Sequence, residues 1–245
     1  MGGALCDAHR DSVLPGLLRR WVDAGHRLGN HTFSHRDLNT VDLEWYTADI
    51  ARNQAYLEPF LERGEPRWFR PPLLHAGDTP TRRDGLREYL DRWGYRMAPV
   101  TLDNQEWIFA DVYVRAKAAG DSAVARRVAA AYVPFMDSVA AFFEARSRAV
   151  LGREIPQVLL LHANELNADH LPALAGMLRA RGYRFVPLAE ALRDPAYARE
   201  DAYVGPRGLS WIHRWAIGAG GAVVEEPREP AWLVELRRSY IARGL

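Results

Sequence analysis

Cysteine and lysine are almost missing from this chain. Cys6 is the single cysteine, which excludes an intrachain disulfide and a cysteine-built metal site. Lys117 is the single lysine, so arginine carries nearly all the positive charge. An excess of either sign is missing too: 32 basic against 31 acidic side chains leaves a formal net charge of +1, and no electrostatic case for nucleic acid or an anionic membrane. No stretch approaches the ~20 consecutive apolar residues of a membrane span. Met1–Cys6 has neither a basic region nor a long apolar run before Asp7, so it does not read as a secretory leader, and the chain as written is expected to stay in the cytoplasm. What is present is an ordinary globular composition, 48% hydrophobic over 245 residues, enough for one barrel-sized domain or two small ones.

Short apolar runs alternate with amphipathic segments. Gly3–Cys6 reads as a strand end, Val13–Ala24 as a helix with Leu14, Leu17, Leu18 and Trp21 at helical spacing, and His26–Gly29 as a strand. Helix Asp42–Arg63, strand Trp68-Phe69, helix Arg82–Trp93 and strand Tyr95–Val100 follow. The spacing of Val124, Val128, Tyr132, Phe135, Val139 and Phe142 predicts a long helix over Val124–Val150. Val158–Leu161 is a continuous apolar run of the kind that forms a buried parallel strand. Helix Leu171–Arg181, strand Tyr183–Val186 and a short helix Leu188–Leu192 complete the pattern. Such alternation implies an α/β fold with a parallel sheet or barrel. From Asp194 onward it fails, and the tail, with Trp211, Trp215 and Trp232, is expected to pack over the core as an extension spanning 195–245.

In parallel α/β folds chemistry sits at the C-terminal ends of strands, and four motifs fall there. Gly29-Asn30-His31-Thr32-Phe33-Ser34-His35 places two histidines four apart, able to share one metal ion or to be bonded independently. Arg67-Trp68-Phe69-Arg70-Pro71-Pro72 by itself is a strand end stopped by prolines. Thr101-Leu102-Asp103-Asn104-Gln105-Glu106-Trp107 by itself reads as a solvated loop with a packed tryptophan. Leu159-Leu160-Leu161-His162 ends a predicted buried strand on a histidine, which alone is as readily structural as catalytic.

Together and in this order the four resemble the motifs of the polysaccharide deacetylases, the NodB-like carbohydrate esterases, over roughly Gly2–Leu192. The resemblance implies a distorted (β/α) barrel and a divalent metal, usually zinc, held by His31 and His35. It implies that Arg70 orients a catalytic base and that the backbone N–H at Leu73 helps hold an oxyanion. Asp103, Glu106 and Trp107 match a motif that tunes a catalytic histidine and lines the groove, although Glu106 stands where aspartate is more usual. His162 matches the general acid, and Leu159 and Leu161 match the leucines that line the acetyl pocket.

The family's Asp-Asp pair, which supplies the base and a third metal ligand, has no counterpart before His31. Asp7 and Asp11 are the only acids before Asp23. The expectation is therefore a catalytic domain over 1–194 whose first strand is absent, with Met1 an internal start, or else a degenerate homologue. The implied reaction is hydrolysis of acetyl groups from N-acetylated amino sugars of a glycan. Two rivals remain: a catalytically dead homologue that binds carbohydrate or a partner, and an assembly protein using its tryptophan-rich tail.

Overall fold

A computed structural model describes residues 13–62 and 64–244. Gly3–Cys6, Asp7 and Asp11 lie outside them. The described residues group into two compact units, one of 13–99 (without 63) and 202–209, the other of 100–201 and 210–244.

The first unit is α/β. Helix α1 covers Val13–Asp23 and is ended by Gly25 at φ 85°. Strands β1 (Gly29–Asn30), β2 (Arg67–Phe69) and β3 (Tyr95–Met97) form a parallel sheet in the order β1-β2-β3. Gly29 lies opposite Trp68 and Asn30 opposite Phe69; Phe69 in turn lies opposite Met97. Glycine suits position 29 because a Cβ there would stand 3.1 Å from the Trp68 Cβ. Helices α2 (Leu43–Leu57) and α3 (Pro80–Arg92) cover the sheet. Thr79 caps α3 through the Arg82 N–H at 3.3 Å, and Pro80 fits the first turn, where an N–H has no helical partner. The core is Leu38, Tyr46, Ile50, Phe69, Leu86, Leu90 and Tyr95, all but Leu38 drawn from the two helices and the sheet; Leu38 comes from the turn before α2.

The second unit is helical: α4 (Glu106–Ala118), α5 (Ser122–Leu151), α6 (Glu165–Ala180), the short α7 (Leu188–Ala191), α8 (Trp211–Gly218) and α9 (Ala231–Ala242). Helices α4, α5 and α6 pack on one another, α8 on α5 and α9 on α4. Asp121 caps α5 through Val124 N–H at 2.9 Å, and Gly152 in the left-handed conformation ends it. Its buried face includes Val128, Tyr132, Phe135 and Val139 as the spacing predicts, joined by Met136 and Phe143.

Four expectations need correcting. Val158–Leu161 is not a full strand: Leu159 makes one parallel bridge to Leu102, secured by Leu102 N–H to Val158 O (3.0 Å) and Leu160 N–H to Leu102 O (3.2 Å). Tyr183–Val186 forms no ladder; the Tyr183 N–H closes the end of α6 on Leu178 O, and Phe185 is exposed. Glu106-Trp107 opens helix α4, which the loop reading missed. Finally, α5 is long and apolar enough by length and composition to cross a bilayer, although no membrane stretch was expected. Its buried face, with Tyr132, Phe135 and Phe143, is committed to the helices around it. Among the described residues the named sheet is parallel, as the alternation allowed, with three strands; the barrel that the resemblance implied is not formed by these strands.

Candidate functional site

The predicted site residues fall into two groups, one in each unit. In the first, His31 and His35 leave the end of β1 on a tight loop. Their rings meet edge to face with centroids 4.8 Å apart. The loop requires left-handed backbone at two non-glycine residues, Thr32 (φ 58°) and His35 (φ 54°), a conformation that costs roughly 1–3 kcal/mol each unless the surroundings hold it. Buried polar groups do hold it. Asn30 Oδ1 accepts the Thr32 N–H at 3.0 Å, Thr32 Oγ1 accepts the His35 N–H at 3.0 Å, and the Asp49 carboxylate accepts the Ser34 N–H at 2.8 Å and hydroxyl at 2.9 Å. Asn30 is pinned from α2 by the Asn53 side-chain amide, which donates to it at 3.0 Å, and donates its own amide to Ile50 O at 2.9 Å.

His31 is oriented by its second nitrogen. Nδ1 lies 2.7 Å from the Arg70 carbonyl, a partner that can only accept, so Nδ1 carries the proton and Nε2 keeps its lone pair. Burial pushes the His31 pKa down to about 3, which keeps the ring neutral. A neutral imidazole whose far nitrogen donates to a carbonyl is the form that ligates a metal. The pair therefore fits two protein ligands of a divalent ion, while no group of three or more metal-binding side chains occurs among the described residues. Arg70 contributes through its backbone, its N–H bonding Asn30 O at 3.0 Å, and its Nε donates to Ala98 O at 3.1 Å. Leu73 is 54% exposed and stands in a turn with left-handed backbone at both Leu73 (φ 57°) and Leu74 (φ 55°).

The second group centres on Glu106, fully buried in the first turn of α4. Its Oε1 accepts the His162 N–H at 2.6 Å and lies 2.7 Å from His162 Nδ1. Its Oε2 accepts the Asn164 side-chain amide at 3.1 Å. The extra methylene of glutamate therefore still permits the contact that the motif implies. The His162 side chain remains half exposed. Asn167 holds the His162 carbonyl at 2.8 Å and is fixed by the Tyr132 hydroxyl at 2.6 Å. Asp103 is half-buried; burial first, then the Glu226 charge, push its carboxyl up to about 7 against the opposing Asn104 N–H, Arg214 and His162. Trp107 is 40% exposed, its indole N–H on Gln105 Oε1 at 2.9 Å and the Arg237 guanidinium 4.9 Å from its ring centre. Leu159 lies in a seam with Leu102, Met136 and Leu174, while Leu161 is half-buried.

Asp49, Asn53, Asn164 and Asn167 were not singled out from sequence. One signal was present in α2: Asp49 and Asn53 are polar residues four apart on the face that also carries Tyr46 and Ile50. Asn164 stands just before a helix, as a cap does.

Residues 2–98 match a family model described as Polysaccharide deacetylase. The matched region contains His31, His35, Arg70 and Leu73; Asp103, Glu106 and His162 lie beyond it. A chitin deacetylase of Colletotrichum lindemuthianum is 25% identical over 183 residues, covering 74% of this chain and 62% of that protein. A chitin deacetylase of Arthroderma benhamiae is 23% identical over 91 residues, covering 37% of this chain and 23% of that protein. The chain thus spans less than two thirds of either relative. No solved structure matches it.

Proposed function

We propose that the protein is a metal-dependent deacetylase that removes acetyl groups from N-acetylated amino sugars of a glycan, the chitin-like class suggested by its relatives' names. The observation that carries this reading is the neutral, half-buried His31, its Nδ1 on the Arg70 carbonyl, set edge to face with His35 inside the family-matched region. A divalent ion held by the two histidines, with zinc expected, would supply Lewis acidity towards the acetyl carbonyl and towards water. The remaining roles belong to the chain. The Leu73 N–H donates to the developing oxyanion. His162 delivers a proton to the departing amine, and Glu106 stabilises the charged imidazole through Nδ1. Water adds to the carbonyl carbon, the C–N bond breaks, and the products are acetate and a free amine. Trp107, exposed and held at its edge by Gln105, offers a face to a sugar ring. On the same reading the three-stranded sheet is part of a distorted barrel.

The test is acetate release from an N-acetylated chito-oligosaccharide with zinc added. The reading predicts turnover, and a loss of ~10²–10⁴ in kcat for His162→Ala. A wild-type protein that releases no acetate at saturating zinc sinks it. One observation favours a second reading, a protein that binds glycan without turnover: no three-ligand group exists among the described residues. Calorimetry showing oligosaccharide binding without acetate release would select it.

A further inference from the structure

After the two prolines that end β2, the chain turns through Leu73 and Leu74, consecutive non-glycine residues at φ 57° and 55°. The turn is closed by Leu74 N–H to Pro71 O at 3.1 Å and His75 N–H to Pro72 O at 3.0 Å. Two adjacent left-handed residues do not hold themselves in place, because each is driven out by its own Cβ. Local bonds of a single turn are a weak restraint on such strain.

A second restraint comes from far along the chain. Residues 202–209 return to the first unit as a strap. Ala202 O accepts from Arg83 Nη1 at 3.1 Å, Gly205 N–H reaches Gly77 O at 3.4 Å, and Pro206 O lies 3.4 Å from the Asn39 side-chain amide. Gly208 then passes directly over the turn. A Cβ on Gly208 would stand 1.9 Å from the Leu73 carbonyl oxygen, 3.0 Å from its carbon and 3.3 Å from the His75 ring. His75 is itself fixed on Asp37 at 2.8 Å. The strap therefore presses bare backbone on the carbonyl of the residue whose N–H is assigned to the oxyanion.

We propose that Gly208 is a positioning residue for deacetylation: by admitting the Leu73 carbonyl against its backbone, the strap at 202–209 holds the left-handed Leu73-Leu74 turn and so aims the Leu73 N–H. This rests on the reading of Leu73 as an oxyanion donor. No strap residue touches substrate in this account; its effect passes through Leu73.

Gly205 provides an internal control. A Cβ there would also collide, 2.5 Å from the Tyr203 hydroxyl, but that is the far end of a side chain and can swing away. Gly208→Ala meets backbone that cannot. Backbone amide NMR of Gly208→Ala should show the Leu73, Leu74 and His75 signals displaced while those of His31 and His35 stay in place. Gly205→Ala should leave the turn signals unchanged. In acetate release, Gly208→Ala should lower kcat about 10-fold or more, towards the ~10²–10³ cost of removing an oxyanion donor outright, with KM and zinc affinity unchanged. Should Gly208→Ala not fold, Asn39→Ala, which frees Pro206 without adding an atom, is expected to shift the same amides by less. Turn signals that ignore both Gly208→Ala and Asn39→Ala overturn the proposal whatever the activity. Displaced signals with unchanged kcat would leave the strap's hold intact but remove its catalytic role, and so overturn it as stated. A wild type without acetate release, its turn signals still moved by Gly208→Ala, would place the failure in the deacetylase reading instead.

Discussion

The two histidine sites of this molecule are built in opposite ways. His31 and His35 sit on a strained loop whose shape is imposed by four buried polar side chains, Asn30, Thr32, Asp49 and Asn53, and only then do the rings meet. His162 sits on unstrained chain, and one carboxylate, Glu106, takes both its backbone and its ring nitrogen. The first arrangement fixes two rings relative to each other, as sharing an ion would demand on the proposed function. The second fixes one ring beside a negative charge, as gaining and losing a proton demands. The contrast implies that the first site should fail gradually as its many supports are removed, and the second abruptly.

Glu106→Ala should therefore have the largest effect. It leaves the His162 N–H and the Asn164 amide without their buried acceptor and takes the countercharge from the ring. We expect a stability loss of about 2–4 kcal/mol in denaturant titrations, and a fall of ~10²–10⁴ in kcat. Wild-type stability in this variant would show that the carboxylate does not organise the site. Asp49→Ala comes next. Loss of two charge-assisted hydrogen bonds to Ser34 should cost about 1–3 kcal/mol and weaken zinc binding about 10–100-fold, with His162-dependent proton transfer untouched. Unchanged zinc affinity would separate the loop's shape from metal binding.

The third effect concerns pH. Because the folded Asp103 holds its proton up to about 7 while an ordinary carboxyl releases it near 3.8, the folded state binds more protons between those values. The stability contributed by this group is full below that window and falls as pH rises through it. Asp103→Asn should flatten the decline in melting temperature between about pH 4 and 7. A decline of wild-type steepness would place its source elsewhere.

The difference between the sites also explains what could be read from sequence. The first unit was legible because its signals are local: Gly25 and Gly94 stop helices, the prolines stop β2, and the histidine spacing survives intact in the fold. β1 and β3 are shorter than the runs expected at His26–Gly29 and Tyr95–Val100, while β2 is one residue longer than Trp68-Phe69. The second unit misled. Leu159, Leu160 and Leu161 have the composition of a buried strand, but they are only half-buried, and among the described residues their strand pairing is one bridge to Leu102. Helix α4 was hidden because Asn104-Gln105 looks like loop, while the Asn104 side chain in fact accepts the Glu106 N–H and donates to Leu160 O. Trp211 and Trp215, expected in a tail packed over the core, are indeed buried, beside a buried Arg214 that is paired with Asp201 at 2.9 Å. Such partners are distant in sequence, so no local pattern announces them.

On the proposed function both histidine groups are needed for one hydrolytic reaction, and a double-variant cycle tests that proposal most directly. Acetate release is measured for the wild type, His31→Ala, His162→Ala and the double variant under saturating zinc. If both groups act in one reaction, the losses are strongly non-additive and the double variant is about as slow as the slower single one. Turnover in His31→Ala and His162→Ala equal to that of the wild type would contradict the account.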